Sequence, residues 1–162
     1  MQTFLPYADY AKSAACLDYR RLGKQRVENL QIMKALMTGV GWVNHPATLM
    51  WRRYEWSLLL YQEAICREWT DVRGYKDTCL LKTQRIYYEH CEWTEQHLTP
   101  YWLGDPKLHL AYQAKLIRKD PWHYLRYFPE TPYDLPFEYP KPAEPYTNLR
   151  IDLKQWAEGW MD

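Results

Sequence analysis

Trp51, Tyr54, Leu58, Tyr61, Ile65 and Trp69 follow one another at steps of three or four residues. Such a row winds along an α-helix as a single apolar stripe, and a stripe of large rings and aliphatic groups is stable only when other elements cover it. The chain around it must supply that cover. The spacing predicts a helix that opens at Pro46, a residue suited to a first turn, with Asn44 or His45 as its cap and Gly74 as its end.

Further helices are predicted on both sides. One runs from about Ser13, a potential cap, to Met37, with Gly39 as its stop. Val27, Leu30, Met33 and Met37 keep helical spacing along it, while Arg21, Lys24, Gln25, Glu28 and Gln31 share the opposite face. Gly23 interrupts this helix and marks a bend or a close backbone approach. A third helix is predicted from about Thr78 to His97, holding Leu81, Ile86 and Trp93 and stopped by Pro100. A fourth begins at Asp105-Pro106, carries Leu108, Ala111, Ala114, Lys115, Arg118 and Lys119, and closes at Asp120-Pro121. The aromatic segment from Trp122 to Phe128 follows. Prolines crowd the stretch from Pro129 to Pro145, which should be extended. Leu149, Leu153, Trp156 and Trp160 then return to helical spacing, as a short amphipathic helix that docks on the body or on a partner. No alternating pattern calls for a sheet. The expected fold class is all-α: a compact single-domain helical bundle over residues 1–128, followed by an acidic, proline-rich extension, 129–162, with a short terminal helix.

The 162 residues suit one domain, and 47% hydrophobic content excludes a disordered chain. No apolar run approaches the roughly 20 residues that span a bilayer. The first residues lack a basic leader followed by an apolar stretch, so a cytoplasmic, membrane-free protein is expected. Cys16, Cys66, Cys79 and Cys91 form no C-x-x-C pair, and no histidine stands at zinc-finger spacing. Reduced, packed thiols without metal or cofactor are the expectation. The net charge is only +1, but it is unevenly spread. Residues 130–162 hold three basic and seven acidic side chains, which leaves +5 on the first 129. A basic body with an acidic extension suits a polyanionic ligand.

Three groups of residues could carry chemistry. Arg20, Arg21, Lys24 and Arg26 place four cations within seven residues, with Gln25 among them. They repel one another unless anions intervene. A nucleic-acid backbone would supply those anions, and Arg and Gln carry the forked donors that read base edges. Internal neutralisation by Glu28, Glu55 or Glu63 is the alternative. Lys115, Arg118, Lys119 and Arg126 mix charge with aromatic rings, which suits partly exposed bases or snorkelling over a core. His45, beside Pro46, could act as a general acid or base, as a phosphate donor, or simply as a cap. No Ser-His-Asp order, phosphate-loop glycine motif or metal-ligand cluster is present.

Several blocks, in order, resemble one family. They are Asp18-Tyr19-Arg20-Arg21-Leu22, then Asn44-His45-Pro46, then Trp51-Arg52-Arg53-Tyr54-Glu55 continuing through Ala64-Ile65-Cys66-Arg67-Glu68 to Arg73-Gly74-Tyr75-Lys76-Asp77-Thr78. Leu110-Ala111-Tyr112-Gln113-Ala114-Lys115-Leu116, Asp120-Pro121-Trp122-His123-Tyr124 and Tyr127-Phe128 complete the set. Over about residues 1–128 the chain resembles the phage-type pyrimidine-dimer DNA glycosylase/endonuclease V family. The extension after that has no counterpart there. The resemblance implies a helical, metal-free DNA-repair enzyme that acts on double-stranded DNA. In that family the chain's terminal α-amine attacks the sugar carbon, a Schiff base forms, the base leaves, and β-elimination nicks the strand as an AP lyase. An α-amine ordinarily has a pKa of about 7.7–8.0, so part of it is neutral and nucleophilic at pH 7.

Two departures from the family pattern matter. Gln2 is bulky, so Met1 is expected to be retained and to bear the amine, with Gln2 beside it. The family's catalytic glutamate follows the Tyr-Arg pair, where this chain has Arg21. Glu28, two turns on and roughly 10.5 Å along the axis, is the nearest acid on that face and is the candidate acid. By the same resemblance, Arg20, Lys24, Lys115 and Lys119 fall at phosphate contacts. The expected function is thus a DNA glycosylase, with or without lyase activity, acting on damaged or modified pyrimidines. A non-catalytic DNA-binding protein on the same scaffold is the alternative, and a protein partner engaged through residues 129–162 is a third reading.

Overall fold

Two aspartates set the frame at the start of the chain. The computed structural model describes residues 1–92 and 97–143. In it the helix expected from Ser13 to Met37 is two helices, α1 (Tyr10–Cys16) and α2 (Tyr19–Thr38). Asp9 caps α1 by accepting from the Lys12 N–H at 2.9 Å, and Asp18 caps α2 by accepting from the Arg21 N–H. The extended backbone of Asp18 (φ −66°, ψ 162°) ends any continuous helix through that point. Ser13 is not a cap; it is fully buried and exchanges hydrogen bonds with the Tyr7 backbone. Gly39 does stop α2, in the left-handed region at φ 71°, with its N–H on the Ala35 carbonyl.

The second expected helix is also interrupted. Pro46 opens α3 (Pro46–Leu49) with His45 as its cap. The chain then turns through residues 50–54, with Arg53 at φ 71°, before α4 (Glu55–Arg67) begins. A π-helical turn, Glu68–Val72, prolongs α4, and Gly74 follows at φ 75°. All six stripe residues are nevertheless buried, none more than 7% exposed. Tertiary packing explains this. Trp51, on the turn, stacks on Tyr61 of α4 with ring centroids 5.8 Å apart and meets Trp102 edge-on at 4.9 Å. The third expected helix is α5 (Cys79–His90); it stops at Cys91, short of His97, and Trp93 lies outside the described residues. Its buried face is Cys79, Thr83 and Tyr87, while Leu81 faces solvent. α6 (Pro106–Lys119) starts on Asp105 and ends at Asp120, as its sequence predicts, whereas α7 (Pro121–Tyr124), capped by Asp120, is a short helix in the aromatic segment that the spacing does not predict. All four cysteines are free thiols.

The centre of the fold is α2, which packs against α4 and α5. Its buried face holds Leu22, Ile32 and Met33, together with Gln25, Glu28 and Asn29. Val27, expected on the apolar side, is exposed. The face is rotated because the first five residues of the chain dock on it. Phe4 and Leu5 are buried, and each contributes about 1.5–3 kcal/mol of apolar burial. The segment is then held by its backbone. The Tyr61 hydroxyl donates to the Phe4 carbonyl, His109 Nδ1 bonds the Leu5 carbonyl at 2.8 Å, and Gln113 Nε2 donates to the Pro6 carbonyl at 2.9 Å.

Residues 129–143 hold no helix, as their prolines predict, and they lie on the body as a strap. Thr131 Oγ1 donates to Gln113 Oε1, Arg118 donates to the Tyr133 and Leu135 carbonyls, and Phe137 packs on Tyr112 with centroids 4.6 Å apart. The expected terminal helix around Trp156 and Trp160 lies outside the described residues. Among the described residues there is no strand, and no helix is long and apolar enough to cross a membrane.

Tyr61→Phe removes the donor to the Phe4 carbonyl and leaves that buried acceptor unsatisfied. We expect a loss of about 1–3 kcal/mol, read as a lower urea midpoint with an unchanged m-value.

Candidate active site

The first residues of the chain cross the polar face of α2, and the reactive groups gather at that crossing. Gln25 is only 1% exposed. Its Nε2 donates to the Gln2 carbonyl at 2.7 Å and to Asn29 Oδ1 at 2.8 Å, and its Oε1 accepts from the Phe4 N–H at 3.0 Å. The sequence places Gln25 among base readers; in the fold its amide is spent on clamping the start of the chain. Glu28, almost one turn on, is buried as well. Its Oε2 accepts from the Gln2 N–H at 2.9 Å, and its Oε1 lies 3.5 Å from Lys24 Nζ. Met1, the residue expected to bear the reactive amine, lies immediately beyond that hydrogen bond.

His45 faces the same place. Its Nδ1 accepts from the Ala47 N–H at 3.0 Å, so in the neutral ring the proton sits on Nε2. The ring meets Trp42 edge-on at 6.1 Å and Tyr139 edge-on at 6.0 Å. Burial lowers the pKa of His45, the positive α-amine of Met1 lowers it further, and Glu28 opposes them. By geometry, His45 adjoins the start of the chain through the Tyr139 ring. The Tyr139 hydroxyl closes the ring of contacts by donating to the Met1 carbonyl at 3.1 Å.

A cleft of about 760 Å³ opens beside these groups. Met1, Gln2, Gln25 and Glu28 line it together with Arg20, Arg21, Lys24, Lys119, Asp18 and Asp120. The cations expected to bind phosphate divide into two sets. Arg20 and Lys119 are exposed, and neither has an acid within salt-bridge distance among the described residues. The Lys24 side chain is 75% exposed and reaches solvent from beside Glu28. Arg21 lines the cleft but pairs with Asp18 at 3.0 Å. Arg26, by contrast, is outside the cleft lining: it pairs with Asp77 and lies 4.3 Å above the Trp69 ring. Lys115 is covered by the strap, with its ammonium 4.3 Å over Phe137 and 5.8 Å over Tyr139. Burial lowers the Lys115 pKa, and the charges of Lys119 and Arg118 add to this.

Tyr139 and Asn29 carry no sequence signal that would mark them. Tyr139 stands 138 positions from the residue whose carbonyl it binds, and only folding brings it there. Among the described residues no three His, Cys, Asp or Glu side chains gather as metal ligands would.

A family model described as pyrimidine dimer DNA glycosylase matches residues 1–83, just over half of the chain. No curated protein and no solved structure matches. The matched residues include Met1, Gln2 and Glu28, the group of cations on α2, and His45; α6 and the strap fall outside them.

Asp18 at the cleft wall gives a pH signature. Burial alone would raise its pKa, but hydrogen bonds from the Tyr124 hydroxyl and Arg21, with the charge of Arg21, hold it below the ordinary value. The stabilisation is complete above the unfolded carboxylate pKa of about 3.9 and is lost as pH falls through the lower native value. Asp18→Asn is therefore expected to lower stability at pH 7, with the gap from wild type closing below about pH 4, measured by urea unfolding across a pH series.

Proposed function

Because the chain belongs to the pyrimidine dimer DNA glycosylase family, we propose that it releases damaged or modified pyrimidines from double-stranded DNA through a Schiff base on its own N-terminal amine, with Glu28 as the assisting carboxylate. The observation that carries this reading is the hydrogen bond from the Gln2 N–H to Glu28 Oε2. It puts an acid at the start of the chain even though Arg21 occupies the position after Tyr19-Arg20. Glu28 supplies from two turns along α2 what the resemblance expects at the first.

The steps follow from that arrangement. The neutral amine of Met1 forms a bond to the sugar C1′ as the C1′–base bond breaks. The base leaves with the electron pair and takes up a proton, and one amine proton passes to Glu28. The sugar ring then opens at C1′–O4′; O4′ takes that proton back from Glu28, which returns to the carboxylate, and a C1′=N iminium remains. Loss of a C2′ proton, with Glu28 as acceptor, expels the 3′ phosphate by β-elimination and gives the lyase step. A carboxylate in such a role contributes about 10²–10⁴-fold. Gln25 serves the same chemistry by fixing the approach of the chain, since correct placement of a nucleophile removes much of the entropic barrier. Arg20, Lys24 and Lys119 supply phosphate contacts at the cleft rim, and extrusion of the target nucleotide would bring C1′ to the amine.

A second reading, DNA binding without chemistry, rests on Arg21 at the position of the family's glutamate. One pair of measurements separates the two. Wild-type protein should form a borohydride-trapped adduct with ultraviolet-damaged or abasic duplex, and blocking the α-amine should abolish it. Glu28→Gln keeps an acceptor for the Gln2 N–H yet should slow base release by about 10²–10⁴-fold while DNA is still bound. Binding without any adduct on these duplexes would leave the second reading standing. In either case Arg20→Ala and Lys119→Ala should each flatten the slope of log K against log salt by about 1, whereas Arg26→Ala should leave the slope unchanged.

A further inference from the structure

We infer that Tyr139 is a positioning residue for the N-terminal amine, and that the strap therefore belongs to the active site. The inference rests on the Schiff-base reading, and its geometry centres on one peptide group. The Met1–Gln2 peptide is a planar unit. Its N–H donates to Glu28 Oε2 at 2.9 Å, and its C=O accepts from the Tyr139 hydroxyl at 3.1 Å. Both polar edges of the plane are thus pinned, one by α2 and one by the strap. With the plane fixed, rotation about the Met1 Cα–C bond is the main freedom left to carry the amine into or out of line with a sugar carbon. Without Tyr139 this peptide plane would keep only its Glu28 hydrogen bond, the next fixed point being the Gln2 carbonyl on Gln25, and it could tilt about that bond.

The strap is built to hold the hydroxyl there. The Tyr139 ring packs edge-on against His45 at 6.0 Å and against Phe137 at 5.0 Å. Lys115 lies over both strap rings. Beyond Tyr139, the Tyr101 hydroxyl donates to the Lys141 carbonyl at 2.7 Å, so the chain is tied down on the far side as well. The phenol also stays a donor at neutral pH: burial raises its pKa, the charge of Glu28 raises it further, and a hydrogen bond with the Gln2 side chain only partly opposes them. A donor is what the Met1 carbonyl requires, and Tyr139 meets that need from outside the segment matched to the family.

Tyr139→Phe isolates the hydroxyl, because the ring contacts with His45, Phe137 and Lys115 remain. In single-turnover borohydride trapping at saturating protein, the adduct should form about tenfold more slowly, the order expected for one hydrogen bond. Met1 is only partly buried, so water can take up its carbonyl; the Kd for the same duplex should stay near wild type and the urea midpoint should fall far less than in Tyr61→Phe, a pattern that a merely structural role would not give. In the free protein, NMR hydrogen exchange of the Gln2 amide should speed up, because its plane has lost one of two anchors. An unchanged adduct rate in Tyr139→Phe overturns the inference, as does an intact mass showing that Met1 is absent. If neither protein forms an adduct on any damaged or abasic duplex, the Schiff-base reading itself fails, an outcome distinct from equal rates in the two proteins.

Discussion

The side-chain amide of Gln25, buried beneath the first four residues, is the contact on which the remainder of the structure depends. A glutamine this deep is tolerable only when its donors and acceptor are satisfied, and an unsatisfied group costs about 1–3 kcal/mol. Here the partners are the Gln2 carbonyl, the Phe4 N–H and Asn29. Two of the three belong to the N-terminal segment, so the chain cannot slide along α2 without breaking buried hydrogen bonds. That register places Gln2 opposite Glu28 and carries Phe4 and Leu5 into the core. Apolar burial supplies most of the stability of the docked segment, and the polar contacts decide where it docks.

The same docking explains how the fold accommodates its crowded cations. Four positive charges within seven residues of one helix would oppose folding if all were left to face one another. The structure divides them. Arg21 and Arg26 pair with Asp18 and Asp77, one at the start of α2 and one on the loop before α5. Arg20 and Lys24 are left toward solvent, at the cleft that holds Met1. On the far side of that cleft Lys119 adds to them, while the strap takes Lys115 and Arg118 into cation–π and carbonyl contacts. The cleft beside the chain terminus therefore keeps Arg20, Lys24 and Lys119 unburied, alongside Asp18, Glu28 and Asp120.

Helical periodicity was legible in the sequence wherever it coincided with burial, and caps were legible where a short polar side chain preceded proline. Asp105 opens α6 and Asp120 ends it as the sequence predicts, His45 opens α3, and Gly39 closes α2, whereas α7 falls in a segment whose spacing predicts no helix. The misread boundaries have two causes. The start at Ser13 rested on a candidate cap that is instead buried within α1, whereas between Pro46 and Gly74 apolar spacing continues across a break. The core accepts buried side chains from turns as readily as from helices. Trp51 and Tyr54 hold their places in the stripe although the backbone between α3 and α4 is a turn. Val27 was misplaced because periodicity ranks faces by hydrophobicity, whereas the inward face of α2 is partly polar and is covered by the chain's own beginning.

By itself, then, the sequence determined the class of the fold, most of the residues that become helical though not where the helices break, the proline-rich stretch that does not, and the concentration of positive charge on one helix. Together with the family resemblance it also put Glu28 forward as a candidate acid, since helical geometry sets which carboxylate shares a face with Arg21 and Lys24. Tertiary structure alone decided which of those polar groups meet. Contacts between Gln2 and Glu28 or between Met1 and Tyr139 span 26 and 138 positions, and nothing in local spacing encodes them. They exist because buried hydrogen-bonding groups must find partners, and the partners available are fixed only when the helices, the N-terminal segment and the strap are packed together.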